Sequence, residues 1–487
     1  MTVRSFGDIL AARRTGRLPV RGQDRVHLAD YQIQVPSANL LTPDLADDGH
    51  DKRRLVMSYK REDRVLPVRP NLDQLKNQAK DLLKAVRRAD PAAIDEFNQF
   101  HPDPPAPGEA KLADAQLALA RAYSSPSWPR LVQACNLIDA IWRDDVKEVE
   151  RIVSQNPQLI HENAGIRNNN WGPPLSYAAN LGRDEIIKLL RKMGAMDLKH
   201  AMGRAMLQSK IKTAAMLYKM LGSPEPPDGA LAGPAYTLSA EGTQFALEIG
   251  VRVVDENGKR LAPVDVVLET DARSPERKHA ILEMYASHGL VFPDTPTMAL
   301  HRGRIDLLEK HLERDPHVLN RRFTHKEIYP PEMGCGNDEL GATQGTPLKG
   351  STLLHICVDY NELEIARWLI EKGANANSKA EVDDDGFGGN TPLFNTVVSQ
   401  PNFWMNYNDR GPYEAPFTKL LLDHGADPNV RASLRKQLHS GYAPRYDTEN
   451  MYEYRDVTPI GWGQQYHAKV FVSEPAIKLI AAAGGKP

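Results

Sequence analysis

The sequence predicts an all-α protein, an elongated solenoid of about nine helix pairs preceded by a small helical unit and an irregular arm. Three observations predict it. Apolar residues recur at i, i+3, i+4 spacing from residue 70 onward. Beyond residue 136, helix pairs joined by short turns return roughly every 30–40 residues. A chain of 487 residues is also long for one compact core, which favours several units or an extended array. The expected divisions are an arm over 1–69, a helical leader over 70–135 and the solenoid over 136–487.

The arm mixes Pro, Asp and Arg without a sustained period. Its opening, MTVRSFGDILAARRTGRLPVRG, has several arginines but lacks the apolar segment of a secretory signal. Helical patterning starts at Pro70 and Asn71, where Leu72, Leu75, Ala79, Leu82, Leu83 and Val86 share a face, and Asp90–Pro91 closes that helix. PAAIDEFNQF, KLADAQLALARAY and SPSWPRLVQACNLIDAI supply three more helical segments.

The segment GSTLLHICVDYNELEIARWLIEKGANAN (350–377) carries Gly350, Thr352, Leu354, His355, Glu364, Ile365, Leu369, Gly373, Ala374 and Asn377. This closely resembles the ankyrin repeat pattern, with Leu353 standing for Pro, Cys357 for Ala and Asn361 for Gly. GPPLSYAANLGRDEIIKLLRKMGAMD (172–197) matches through Ala178, Ala179, Gly182, Gly194 and Ala195. TPLFNTVV with PFTKLLLDHGADPN, and TPIGWGQQYH with EPAIKLIAAAGG, read as two interrupted copies. Weaker copies lie in NLIDAIWRDDVKEVERIV, LKHAMGRAMLQSKIKTAAMLYKMLG, ALAGPAYTLSAEGTQFALEIGV, PVDVVLETDARSPERKHAILEMYASHG and MALHRGRIDLLEKHLERDP. The leader with SPSWPRL also resembles the N-terminal region of bacterial proteins that continue into ankyrin repeats, which assigns it no activity.

The repeat has a physical logic. Thr caps the first helix and Pro fits its first turn; small residues let paired helices approach; Gly373 and Gly425 end the second helix in a left-handed cap. The resemblance implies that His355 bonds Thr and backbone at the turn, and that Cys357 packs between helices as a small apolar group. It also implies a scaffold with protein partners.

Little in the sequence points to chemistry. A formal net charge of −2 provides no basic field for nucleic acid, and no apolar run is long enough to span a bilayer. Cys135, Cys335 and Cys357 are scattered and odd in number, as in a reducing compartment, so the cytoplasm is the expected location. GFGGN lacks the Lys-Ser/Thr of a phosphate loop, and GPPLSYAAN holds a serine without the nucleophile-elbow glycines. His325 and Cys335 lack the pair spacing of a zinc site, and EVDDDGFGGN (381–390) lacks the bidentate Glu of a calcium loop. No cofactor or metal is expected.

What stands out is a set of insertions at 324–349, 399–415 and 431–457, longer than ordinary repeat connections. The span 401–466 holds 11 of the chain's 33 Phe, Trp and Tyr residues, more than twice its share, which marks it as interface material. Phe403, Trp404, Tyr407, Tyr413, Tyr442, Tyr446, Tyr452, Tyr454 and Trp462 are the candidate binding residues, set against the alternative that such rings pin loops to the solenoid. The expected function is a non-enzymatic protein-binding scaffold. The rival is a small-molecule or carbohydrate site with acid/base groups drawn from Asp409, Glu414, His439, Asp447, Glu449, Glu453, Asp456 or His467. The terminal helix AIKLIAAAGG is apolar for an end repeat, so a cover is expected from residues 1–69 or from a second copy in a homo-oligomer.

Overall fold

Helical periodicity becomes structure from residue 72 onward. The computed structural model describes residues 64–487 except 65, 167–170, 227–228, 271, 338, 340–344, 400–414 and 439–449. The leader consists of α1 (Leu72–Arg87), α2 (Pro91–Phe100) and α3 (Leu112–Ala122). Asn71 caps α1 by accepting from the backbone N–H groups of Asp73 and Gln74, and Asp90 caps α2 through Ala93 N–H. Leu75, Ala79, Leu82 and Val86 of α1 are buried against Phe97 and Leu119, while Leu72 and Leu83 flank that core half-buried. Each such buried Leu stabilises the unit by about 2 kcal/mol.

Helix α4 (Trp128–Trp142) belongs to two cores. Leu131 and Cys135 complete the leader's core, and from Leu137 onward the same helix enters a second core that continues to Ile480. Position 135/136 therefore falls inside a helix, at the point where one core gives way to the next.

Nine helix pairs follow among the described residues. They are α4 with α5 (Val146–Gln155), α6 (Pro174–Leu181) with α7 (Asp184–Lys192), α8 (Leu198–Leu207) with α9 (Ile211–Met220), and α10 (Ala232–Tyr236) with α11 (Ala240–Glu248). Then come α12 (Val264–Glu269) with α13 (Pro275–Ser287), and α14 (Pro296–His301) with α15 (Ile305–Arg314). After the short insertion helix α16 (His325–Ile328), the stack ends with α17 (Leu353–Tyr360) and α18 (Leu363–Glu371), α19 (Pro392–Val397) and α20 (Pro416–Asp423), and α21 (Pro459–Gln465) and α22 (Glu474–Ala482).

Backbone geometry repeats even where the sequence signal fades. In six pairs the turn between the two helices holds a left-handed residue: Asp144, Gly182, Ser209, Leu238, Gly303 and Asn361. Asn tolerates this conformation, which explains why Asn361 can replace the pattern's glycine. Gly373 and Gly425 close their second helices at φ +99° and +79°, as expected. The first and sixth pairs end differently, in proline-started 3-10 turns at Pro157–Ile160 and Pro316–Leu319.

The fold departs from pure helix in the third insertion. Strands β1 (Ala432–Lys436) and β2 (Tyr452–Val457) pair antiparallel, with Leu434 opposite Tyr454. Alternate residues of β1 point inward, so Ala432, Leu434 and Lys436 are buried. The Gly388 N–H, in the finger between the seventh and eighth pairs, donates to the Ser433 carbonyl at 2.6 Å and extends the ribbon by one bridge. No described helix is long and apolar enough to cross a membrane.

Candidate functional site

The first and third insertions act on the same end of the array. Thr346, in the first insertion, donates its hydroxyl to the Val398 carbonyl at 2.8 Å and accepts from Trp462 Nε1–H at 3.0 Å. One buried hydroxyl thus ties the insertion to the eighth and ninth pairs. Trp462 is fully enclosed, against Tyr454 and Tyr466 with ring centroids 4.8 Å away in each case. Its part is to pack the ninth pair rather than to meet a partner, which corrects the sequence expectation for this ring. An indole that must bury about 200 Å² finds its stability inside, with its N–H satisfied.

Tyr454 is also buried, and burial pushes its hydroxyl up to about 12. Its Oη lies 2.6 Å from His467 Nδ1, and Tyr452 stacks on the His467 ring at 4.0 Å between centroids. Tyr452, Tyr454 and Trp462 are therefore brought into one aromatic cluster with Tyr466 and His467. Tyr452 is the one among these three that keeps a partly exposed ring. Phe403, Trp404, Tyr407, Tyr413, Tyr442 and Tyr446 lie outside the described residues, as do Asp409, Glu414, His439, Asp447 and Glu449. Of the remaining acid/base candidates, Glu453 pairs with Arg455 at 3.1 Å and Asp456 with Arg431 at 3.0 Å. His467 is held by the tyrosines, so the described candidates are each engaged separately.

The acidic finger 381–390 is held by the third insertion. Arg435 of β1 bridges Asp383 at 2.7 Å and Asp385 at 2.9 Å. Arg435 and Arg455 lie over the Phe387 ring at 4.9 and 4.3 Å. Asp383 Oδ1 also accepts from the backbone N–H groups of Asp385 and Phe387, shaping the turn. A recess of about 290 Å³ opens between this finger, β1 and the first insertion, lined among others by Glu339, Lys349, Glu381, Asp384, Asn390 and Arg435. The sequence shows only that 381–390 lacks the pattern of a calcium loop; that this finger lies against the first and third insertions is decided by the fold.

The remaining chemistry-bearing residues have local partners. His355 Nε2 donates to the Asn390 carbonyl at 3.0 Å and Nδ1 meets Thr352 N and Oγ1, the turn role the repeat pattern implied. Burial lowers this imidazole to about 4 against a weaker opposing effect of the Asn390 carbonyl. Cys357 is wholly buried, and burial pushes its thiol well up. All three cysteines are free and buried. His325 Nε2 bonds the Gly336 carbonyl at 3.0 Å, and no metal-ligating cluster is found among the described residues. Ser176 donates to Asp197 and sits 2.8 Å from His200 Nδ1. The carboxylate meets the hydroxyl, not the imidazole, so this is a turn anchor and not a nucleophile relay.

A family model described as ankyrin repeat matches residues 349–381. Among curated proteins none matches the sequence. Among solved structures, the human ASB11 ankyrin repeat domain is similar at 15% identity and a TM-score of 0.22, over 64% of this chain and 99% of that one. Residues 349–381 are thus matched as an ankyrin repeat, and a left-handed residue also marks the turn between the helices in five of the preceding pairs.

Proposed function

We propose that the chain is a non-enzymatic scaffold that binds a protein partner on the concave face of the stack and on the inserted loops of its last three repeats. Ankyrin repeats are in general protein-recognition modules, and successive turns and inner helices give them an extended concave surface. The carrying observation is the convergence of insertions: β1, the finger 381–390 and the segment containing Glu339 and Lys349 border one recess. Loops held by buried bonds such as Thr346 to Trp462 present side chains at fixed positions, which lowers the ordering cost of binding.

Tyr452 and the six candidate rings outside the described residues belong to this reading as contact residues; Tyr454 and Trp462 belong to it as support. Its setting is a reducing, cytoplasmic one, a placement that the three free buried thiols suit. The division into arm 1–69, leader 70–135 and solenoid 136–487 is part of the same proposal, favoured by the change of core between Cys135 and Leu137. The absence of a nucleic-acid role rests on the net charge alone.

Affinity capture from native lysate with the intact protein and a Trp404→Ala/Tyr407→Ala/Tyr446→Ala variant tests the scaffold reading. A partner identified by mass spectrometry, lost by the variant and rebound with purified components is the expected result. Retention of a metabolite or glycan in place of any protein would reverse the reading.

A further inference from the structure

We propose that the recess between the acidic finger, β1 and the first insertion receives a lysine or arginine side chain from an extended segment of the protein partner. This rests on the scaffold reading above and names the chemistry that one of its surfaces recognises.

Charge comes first. Lys349 is paired with Glu339 at 2.7 Å, and Arg435 is committed to Asp383 and Asp385. The carboxylates of Glu381 and Asp384 line the same recess and have no ion-pair partner among the described residues. With its cations neutralised internally, the recess keeps two uncompensated negative charges that a single cationic side chain would balance.

A second observation is independent of the carboxylates. Asn390 is 2% exposed and lines the recess, yet its amide Nδ2 has no hydrogen-bond partner among the described residues. A buried unpaired donor is costly to keep, which calls for a partner from outside the fold. Its own backbone carbonyl is already taken by His355 and by Ala380 N–H, so the peptide unit cannot turn to help. The side-chain amide therefore calls for an acceptor, which the peptide carbonyl next to a basic residue provides. Val382, 56% exposed on the rim, supplies apolar surface for the aliphatic stem.

Other occupants fit less well. A sugar would leave both carboxylates uncompensated, and the Phe387 ring that might have stacked on it is 5% exposed between two guanidinium groups. An acidic segment would meet like charge.

The test uses the full chain and fluorescein-labelled amidated hexapeptides carrying one central arginine, citrulline or glutamate, read by fluorescence polarisation. The Glu381→Gln/Asp384→Asn variant lies on the exposed rim, and circular dichroism verifies that it folds; Glu364→Gln/Glu371→Gln removes the same charge from an outer helix. The expected result is saturable binding of the arginine peptide, weakened about 10-fold by the rim variant, by citrulline and by 0.5 M salt, and unchanged in the outer-helix control. Equal binding by the rim variant, or no saturation up to about 1 mM peptide, overturns the assignment. Saturable binding of methyl glucoside without the arginine peptide overturns it as well. If the peptide fails while the capture experiment still yields a reconstituted partner, only the recess assignment falls. If both fail, the scaffold reading falls with it.

Discussion

Arg273, in the turn of the fifth helix pair, bonds Asp359, near the end of the first helix of the seventh pair, at 3.0 Å with both side chains sealed from solvent. The guanidinium also donates to the Asp359 carbonyl at 3.0 Å and to the Thr270 and Ala272 carbonyls, and it lies over the Tyr360 ring at 4.4 Å. A repeat array is normally joined only by neighbour stacking. Here one side chain staples repeats that are two apart, past the short sixth pair.

Arg273→Met should therefore destabilise the protein by about 3–5 kcal/mol, because it strands the buried Asp359 carboxylate. Arg273→Met/Asp359→Leu should recover most of that loss, since a matched apolar pair removes both desolvated charges. Urea unfolding of the three proteins measures it, and a single substitution costing under about 1 kcal/mol would contradict the staple.

Gly303 controls a second link between the same repeats. Its φ is +68°, and a Cβ there would come within 2.2 Å of His279 Nδ1. His279 passes this glycine to reach Glu362 at 2.8 Å, where the buried Lys278 is also paired at 2.8 Å. Burial alone would raise the Glu362 carboxyl, but Lys278 and His279 outweigh it and hold it below its ordinary range. Gly303→Ala should lower stability by about 2 kcal/mol or more, combining left-handed strain with displacement of His279. His279→Ala should cost less, and thermal melting of both variants would reveal a reversed order if the glycine had no such role.

Acid sensitivity follows from His355. Its Nε2–H donates to a carbonyl while Nδ1 accepts from Thr352, so the folded protein needs the neutral ring. Burial lowers its pKa from the ordinary 6.5 to about 4, so between those values the unfolded chain binds a proton that the folded chain refuses. Stability from this group is complete above pH 6.5 and falls as pH drops toward 4, by about 3 kcal/mol in full. His301, buried and lowered well below its usual range, adds in the same direction. Unfolding free energies from pH 7 to 4 should fall less steeply for His355→Gln than for the native protein, and parallel curves would contradict this origin.

Thr346→Val should leave helix content unchanged but free Trp462 Nε1–H inside the core, while the Val398 carbonyl keeps the backbone N–H of residue 346. The expected cost is about 1–3 kcal/mol. Hydrogen exchange should show faster loss of protection in α21 than in α17. Uniform acceleration would mean that the first insertion is not anchored there.

Self-association has a direct measure. On the terminal helix, Leu479 at 39% exposure is the large apolar side chain left facing solvent, beside Glu474 and Lys478. If residues 1–56 cover that end, their removal should raise the mass by light scattering, and Leu479→Glu should restore it. An unchanged mass would exclude the arm as the cover.

Much of this architecture was legible because it is local. Leu75, Ala79, Leu82 and Val86 announce one helix face within a single window, and Gly373, Asn377 and His355 occupy fixed offsets in one repeat. Those offsets exist because caps and turns are satisfied by residues two to four positions away. The two-stranded ribbon was not legible, since β1 and β2 pair across fifteen intervening residues and neither is a long alternating run. The burial of Trp462 was equally hidden, because its partner Thr346 is 116 positions distant.

The sequence by itself determined the helix pairs, their spacing, their closing glycines and the structural employment of His355 and Cys357, all of which follow from short-range backbone geometry. Tertiary structure decided which aromatic rings became core, that Arg273 reaches Asp359 across a repeat, and that Glu381, Asp384 and Asn390 share one recess. Those outcomes depend on how separately folded pairs stack and on where long insertions return, and the electrostatic environment of a side chain exists only once that packing has excluded water from it.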